Sequence, residues 1–192
     1  MDMRTAVERL RSTALSLAAE APDRELTVDV LVSRAGLSRD DFYRNATSPV
    51  RVLAEALSDE VLTQLEAVSD SDPGRGPDWI EERARISLTH IARWAQIYRG
   101  PIRREVMAAL RDILTPIIAA DNADWLRSHP ELIPAGFEPD DETTINMIAM
   151  FSAGGNMAAV EVWVEDPQLD VERGIRLLKQ YSPMFVHSPG SP

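Results

Sequence analysis

The chain has 192 residues, 44% of them hydrophobic and 27% charged, and no cysteine. That is the balance of an ordinary soluble globular protein with room for one good-sized domain, or a small one and a larger one. It excludes disulfides, thiolate metal sites and cysteine nucleophiles, and the missing thiols fit a cytoplasmic location. No apolar run approaches the ~18 residues of a transmembrane span, and MDMRTAVERL lacks the basic-then-apolar order of a signal peptide, so no membrane partner is expected. The net charge of −11 argues against broad, non-specific nucleic-acid binding. The charge is uneven, however: residues 1–57 carry 8 arginines against 9 acids, whereas residues 58–192 carry 12 basic against 22 acidic groups.

In chain order, nearly every segment reads as helix. From Arg4 to Ala19, Ala6, Val7, Leu10, Ala14, Leu17 and Ala18 recur at three- and four-residue spacing and form one apolar stripe. APDRE breaks that helix, and Thr27 is placed to cap the next. Ala35–Gly36 ends the second helix, with Gly36 free to adopt a positive φ. Ser38 caps a third helix, and Asp41 three residues later completes a capping-box pattern. Ser48–Pro49 opens a fourth, whose stripe runs from Val50 to Val68.

SDSDPGRGPD, residues 69–78, is a polar Pro/Gly linker. Helices are predicted over 79–98, then to about Arg127 with a kink at Pro116, over 141–165 and over 170–185. PELIPAGFEPDD reads as a loop between them. No strand pattern or repeat emerges, so the expected fold is all-α, with about nine helices.

The residues around the second and third helices carry the functional signal. A helix-turn-helix needs a small residue where its helices cross, a residue tolerant of positive φ in the turn, and an apolar residue tying the turn to the core. Ala35, Gly36 and Leu37 fit these needs in order, with Leu31, Leu37 and Phe42 inward and Leu10, Leu17 and Leu53 closing a three-helix core. Two aspartates, Asp40 and Asp41, open the third helix. Acids there favour the helix through its dipole; equally, a carboxylate in a major groove accepts from cytosine N4 while Arg39 donates a bidentate pair to guanine.

Together, LTVDVLVSRAGLSRDDFYRNATSPVRVL resembles the N-terminal domain of the tetracycline-repressor (TetR) family of bacterial regulators. Thr27, Val28, Leu31, Ala35, Gly36, Leu37, Ser38 and Tyr43 stand where that family's pattern asks. The resemblance implies a helix-turn-helix DNA-binding domain over residues 1–57 and a helical ligand-binding and dimerisation domain over 58–192. The implied function is that of a transcriptional regulator, expected as a repressor, which binds a palindromic double-stranded DNA operator as a homodimer and is released by a small apolar or aromatic effector. Tyr43, Thr27 and Ser38 are the implied phosphate contacts, with Arg44 and Arg51 flanking the groove-facing helix and Arg39 and Asp40 toward the bases. The chain departs from the family's pattern at Val32, Asn45–Ala46 and Pro49, the last standing where a phosphate-contacting lysine is usual. Those departures and the aspartate pair motivate the alternative of a TetR-shaped protein with a degenerate reading surface, acting through a ligand or protein partner.

In the larger part, Ser152, Gly155, Ala158 and Ala159 place small residues on one helix, and Val171, Ile175, Leu178 and Phe185 lie on the next. Glycines inside a helix cost about 1 kcal/mol relative to alanine, so a close helix approach at a two-fold dimer interface is expected, with simple core packing as the alternative. Candidate lining residues for an effector pocket are Trp79, Ile86, His90, Trp94, Ile97, Met107, Leu110, Met147, Met150 and Phe151, with His90 as a polar anchor. Each also reads as ordinary core. His90, His129 and His187 have no metal-ligand spacing and no nucleophile motif is present, so neither an enzyme, a metal nor a cofactor is expected.

Overall fold

The computed structural model describes residues 3–69, 77–134 and 136–181, and among these the protein is all-helical, with nine α-helices, one 3-10 turn and no strand. The chain packs as two compact units, the first made of residues up to 63 with 93–110, the second of 64–92 with residues from 111 onward.

The first unit begins with α1 (Met3–Glu20), α2 (Val28–Ala35) and α3 (Arg39–Asn45), continues into α4 (Pro49–Ser69) and takes in the short α6 (Ala95–Arg99). α1 packs against α2, α3 and α6. Its core is built from the apolar stripes: Leu10, Leu31, Phe42, Leu53 and Leu57 are fully buried, while Leu17 and Leu37 are half-buried at its edge. Each full burial contributes on the order of 1.5–3 kcal/mol of transfer free energy. The predicted caps are present. Thr27 Oγ1 accepts from the Val30 N–H at 3.3 Å, and Ser48 Oγ accepts from the Arg51 N–H at 3.1 Å.

One helix differs from expectation. The predicted segment 79–98 is divided at Trp94 into α5 (Pro77–Arg93) and α6. The cause lies on α4. The Trp94 indole N–H donates to Glu60 at 3.1 Å, and Arg93 pairs with the other oxygen of that carboxylate at 2.7 Å. Arg93 also stacks over the Trp94 ring, 5.1 Å from its centroid. Two successive side chains are thus drawn to one acid, which a continuous helix would turn apart by about 100° per residue. Beside them Tyr98 is buried, and that burial raises its hydroxyl pKa well above the ordinary tyrosine value.

The second unit holds most of α5, the greater part of α7 (Arg103–Ser128), α8 (Glu142–Trp163) and α9 (Val171–Tyr181). α7 runs through Pro116 as one helix. The predicted loop after it contains the 3-10 turn Pro130–Leu132, whose Leu132 and neighbouring Ile133 pack with Trp125, Leu126, Ile145 and Ala149 in one apolar cluster. Asp141 caps α8, accepting from the Thr143 and Thr144 N–H groups at 3.0 and 3.3 Å. Ion pairs join the helices at the rim: Arg83–Asp121 and Lys179–Glu81, both at 2.6 Å, and Arg127–Glu142 at 2.8 Å. No described helix is long and apolar enough to cross a membrane.

Candidate functional site

The turn between α2 and α3 is set by Gly36. Its φ of +63° is left-handed, and its N–H donates to Ser33 O at 3.3 Å while the Leu37 N–H reaches Val32 O at 2.9 Å, the paired bonds of a Schellman-type cap. Arg9 on α1 reaches over the turn and donates to the carbonyl of Ala35, with a 3.5 Å contact to that of Gly36. Ala35 is buried, as a close helix crossing requires.

α3 then follows with Ser38 as its cap. Ser38 Oγ accepts from the Asp41 N–H at 3.0 Å, and the Asp41 carboxylate accepts from the Ser38 N–H at 3.1 Å and its hydroxyl at 2.6 Å. Phe42 turns wholly inward, whereas Tyr43, edge-on to it with ring centroids 5.3 Å apart, is 63% exposed. Tyr43, Asp40 and Arg44 therefore project from the outer side of α3, and Arg39 stands one turn before Tyr43. Of the predicted reading residues, Ser38, Arg39, Asp40, Tyr43 and Arg44 are exposed, and Thr27 and Arg51 are half-buried.

The charges on this surface are held by one another. Arg39 donates from Nε and Nη2 to the two oxygens of Asp29 on α2, each at 2.6 Å. Arg44 donates to Asp41 at 2.7 Å, and Arg51 to Glu55 at 3.2 Å. Arg39 holds the Asp29 carboxyl below the usual range, and Asp29 in turn raises the guanidinium. Asp41 is lowered first by the Ser38 hydroxyl, then by the Ser38 N–H, with Arg44 adding less. Sequence reasoning paired the acids of α3 with their own helix but missed Asp29. Asp29 and Arg39 are ten residues apart in the chain, and no local spacing brings them together.

The candidate pocket residues separate. Trp94, Ile97, Met107 and Leu110 belong to the first unit, Ile86 and His90 to the second. Ile97, Met107, Leu110 and His90 are buried, and Ile86 and Trp94 half-buried. Trp94 has a structural task of its own in the Glu60 contact. The side chain of Trp79 and the whole of Phe185 lie outside the described residues. Met147 and Met150 require correction as pocket lining: they are 69% and 51% exposed on the outer side of α8, whereas Phe151, 71% exposed, lines an open groove rather than an enclosed pocket.

Two residues of the expected pairing face, Ser152 and Ile175, are corrected, while Gly155, Ala158 and Ala159 are exposed. Ser152 is buried and Ile175 on α9 is interior, so neither has surface to give to a partner. The exposed stripe is Met147, Phe151, Gly155, Ala158, Ala159 and Val162, at three- and four-residue spacing. A single residue step turns about 100° around a helix, which is why Ser152 faces in while Phe151 faces out. A Cβ placed on Gly155 would meet nothing within 4 Å. Nothing among the described residues therefore offsets the helix cost of that glycine. Beside the stripe, α8 and α9 enclose an apolar groove of about 510 Å³ whose lining includes Leu88, Phe151, Gly155, Trp163, Leu177 and Leu178. Among the described residues no cluster of three or more His, Asp or Glu could hold a metal ion.

No protein-family model matches the chain, and a search of curated proteins finds no matching relative.

Proposed function

We propose that this chain is a TetR-like, DNA-binding transcriptional regulator that reads a palindromic double-stranded operator as a homodimer, as a repressor relieved by a small apolar or aromatic effector. The observation that carries the reading is the α2–turn–α3 unit. A left-handed glycine, a buried alanine and a capping box hold a short helix with Tyr43, Arg39 and Arg44 outward. In this reading Tyr43, Thr27 and Ser38 meet phosphates and Arg39 meets base edges. Arg44 and Arg51 add charge at the flanks. The exposed apolar stripe on α8, with its unfilled glycine, supports pairing of two copies through α8 and α9. Two reading units related by a dyad then match half-sites about one helical turn apart.

A second reading has its own observation. Arg39, Arg44 and Arg51 are each engaged by a carboxylate of the same chain, and Asp40 adds an exposed acid between them. Such a surface also suits a TetR-shaped protein that has lost operator binding and acts through a ligand or protein partner.

Fluorescence anisotropy of the purified chain against duplex tiles from around its coding region, at several salt concentrations, separates the two. Operator reading predicts tight binding to one palindromic tile, weakened by salt through counterion release. Arg39→Ala is expected to weaken it by roughly tenfold or more, the worth of one base contact, and Tyr43→Phe is expected to weaken it too. Uniformly weak binding that neither substitution alters favours the second reading.

A further inference from the structure

The manner in which Arg39 is held bears on what it reads, an inference that rests on the DNA-reading proposal. Arg39 and Asp29 are joined by two parallel hydrogen bonds across the α2–α3 turn, yet each side chain is 64% exposed. Such a bidentate pair fastens α2 to α3 to the modest extent an exposed ion pair can, and it also decides which donors of Arg39 are left over. Asp29 occupies the side edge of the guanidinium, formed by Nε and one proton of Nη2. The end edge, one proton each from Nη1 and Nη2, makes no hydrogen bond among the described residues, and the side chain is exposed. Two parallel donors on a planar fork are what the O6 and N7 acceptors of guanine take in the major groove.

We propose that Asp29 is a positioning residue for base reading: it fixes the plane of Arg39 so that the end edge presents a bidentate pair to a guanine, while its charge restrains Arg39 from phosphates. The neighbouring pair is built differently: Arg44 is held within its own helix, from Nη2 to the Asp41 carboxylate at 2.7 Å and from Nε to the Asp40 carbonyl at 3.2 Å, and stays 71% exposed. Asp29 thus sets selectivity for guanine more than total affinity.

Selection of binding sites from a randomised duplex pool, using the full chain as wild type, Asp29→Asn and Arg39→Ala, tests this. The wild type is expected to enrich a site with a guanine whose preference Arg39→Ala abolishes. Asp29→Asn, nearly equal in size, is expected to lower the preference at that one position by roughly tenfold, with other positions kept and random duplex bound at least as tightly. Its melting temperature should stay within a few degrees of the wild type's, the scale of one exposed ion pair. Undiminished guanine preference in Asp29→Asn overturns the inference while leaving DNA reading intact. A loss at all positions together with a lowered melting temperature also overturns it, in favour of a structural role. Failure of the wild type to enrich any sequence removes the DNA-reading proposal itself, and this inference with it.

Discussion

Asp41 carries two tasks at once, closing the capping box with Ser38 and holding Arg44. Both require the ionised carboxylate, and both hold its pKa below the ordinary 3.8, the Ser38 hydroxyl most of all. A group whose pKa is depressed on folding contributes stability that is complete above its unfolded value and lost as pH falls through the folded one. Asp29, held by Arg39, and Asp141, held by Thr144 and Thr143, act in the same direction. The melting temperature of the wild type should therefore be flat at neutral pH and fall below about pH 4. Asp41→Asn is expected to melt lower at neutral pH and to show a shallower acid decline, measured by circular dichroism from pH 7 to 2.5. The Ser38–Asp41 pairing was legible in the sequence because capping is a matter of i and i+3. The Arg39–Asp29 pair was not, because it depends on how two helices cross.

The α2–turn–α3 element depends on Gly36 for a different reason at each of its atoms. Its φ of +63° disfavours any residue with a Cβ by roughly 1–2 kcal/mol. An added Cβ would also stand 2.8 Å from Arg9 Nη2, the group that holds the Ala35 carbonyl. The arginine tip can move aside, so the clash itself is soft, but moving it releases the turn. Gly36→Ala is expected to destabilise the chain by about 1–3 kcal/mol, read as a lower urea midpoint. An unchanged midpoint would mean that the turn is not tied to the cooperative core. Other elements show where local pattern runs out. The stripe over residues 79–98 is helical throughout, and only the shared acid Glu60 on α4 reveals a break at Trp94. On α8 apolar and small residues surround most of the helix, so periodicity alone put Ser152 on the outward face with Gly155, Ala158 and Ala159.

For the whole molecule, the question is what covers α8. Met147, Phe151 and Val162 are 69–74% exposed along one stripe, a burial pattern more typical of an interface than of a monomer surface. Phe151→Glu and Val162→Glu change side chains that the chain itself does not bury, so single-chain stability should move within about 0.5 kcal/mol. The dimer proposal predicts that each weakens self-association by about 30-fold or more, the scale of an interface hot spot. Light scattering across a concentration series measures this. A dimer indifferent to both substitutions would place the pairing surface elsewhere. Charge belongs to the same scale. Operator binding by a chain of net charge −11 has to rest on local arginines, and a steep salt dependence is the expected consequence.

The sequence by itself determined the helical class, the order of the described helices apart from the break between α5 and α6, the caps Thr27, Ser38 and Ser48, and the inward residues of the first unit: Leu10, Leu31, Phe42 and Leu53. These follow from contacts between residues three and four apart, which a helix brings together wherever it is placed. Tertiary structure alone decided that residues 93–110 pack with the N-terminal helices, that α5 stops at Arg93, that Ser152 faces in and Phe151 out, and that Asp29 holds Arg39. Each of these joins residues distant in the chain, or chooses between faces of similar polarity. Such choices are made by the energy of packing one helix on another, and that energy is not written in any single helix.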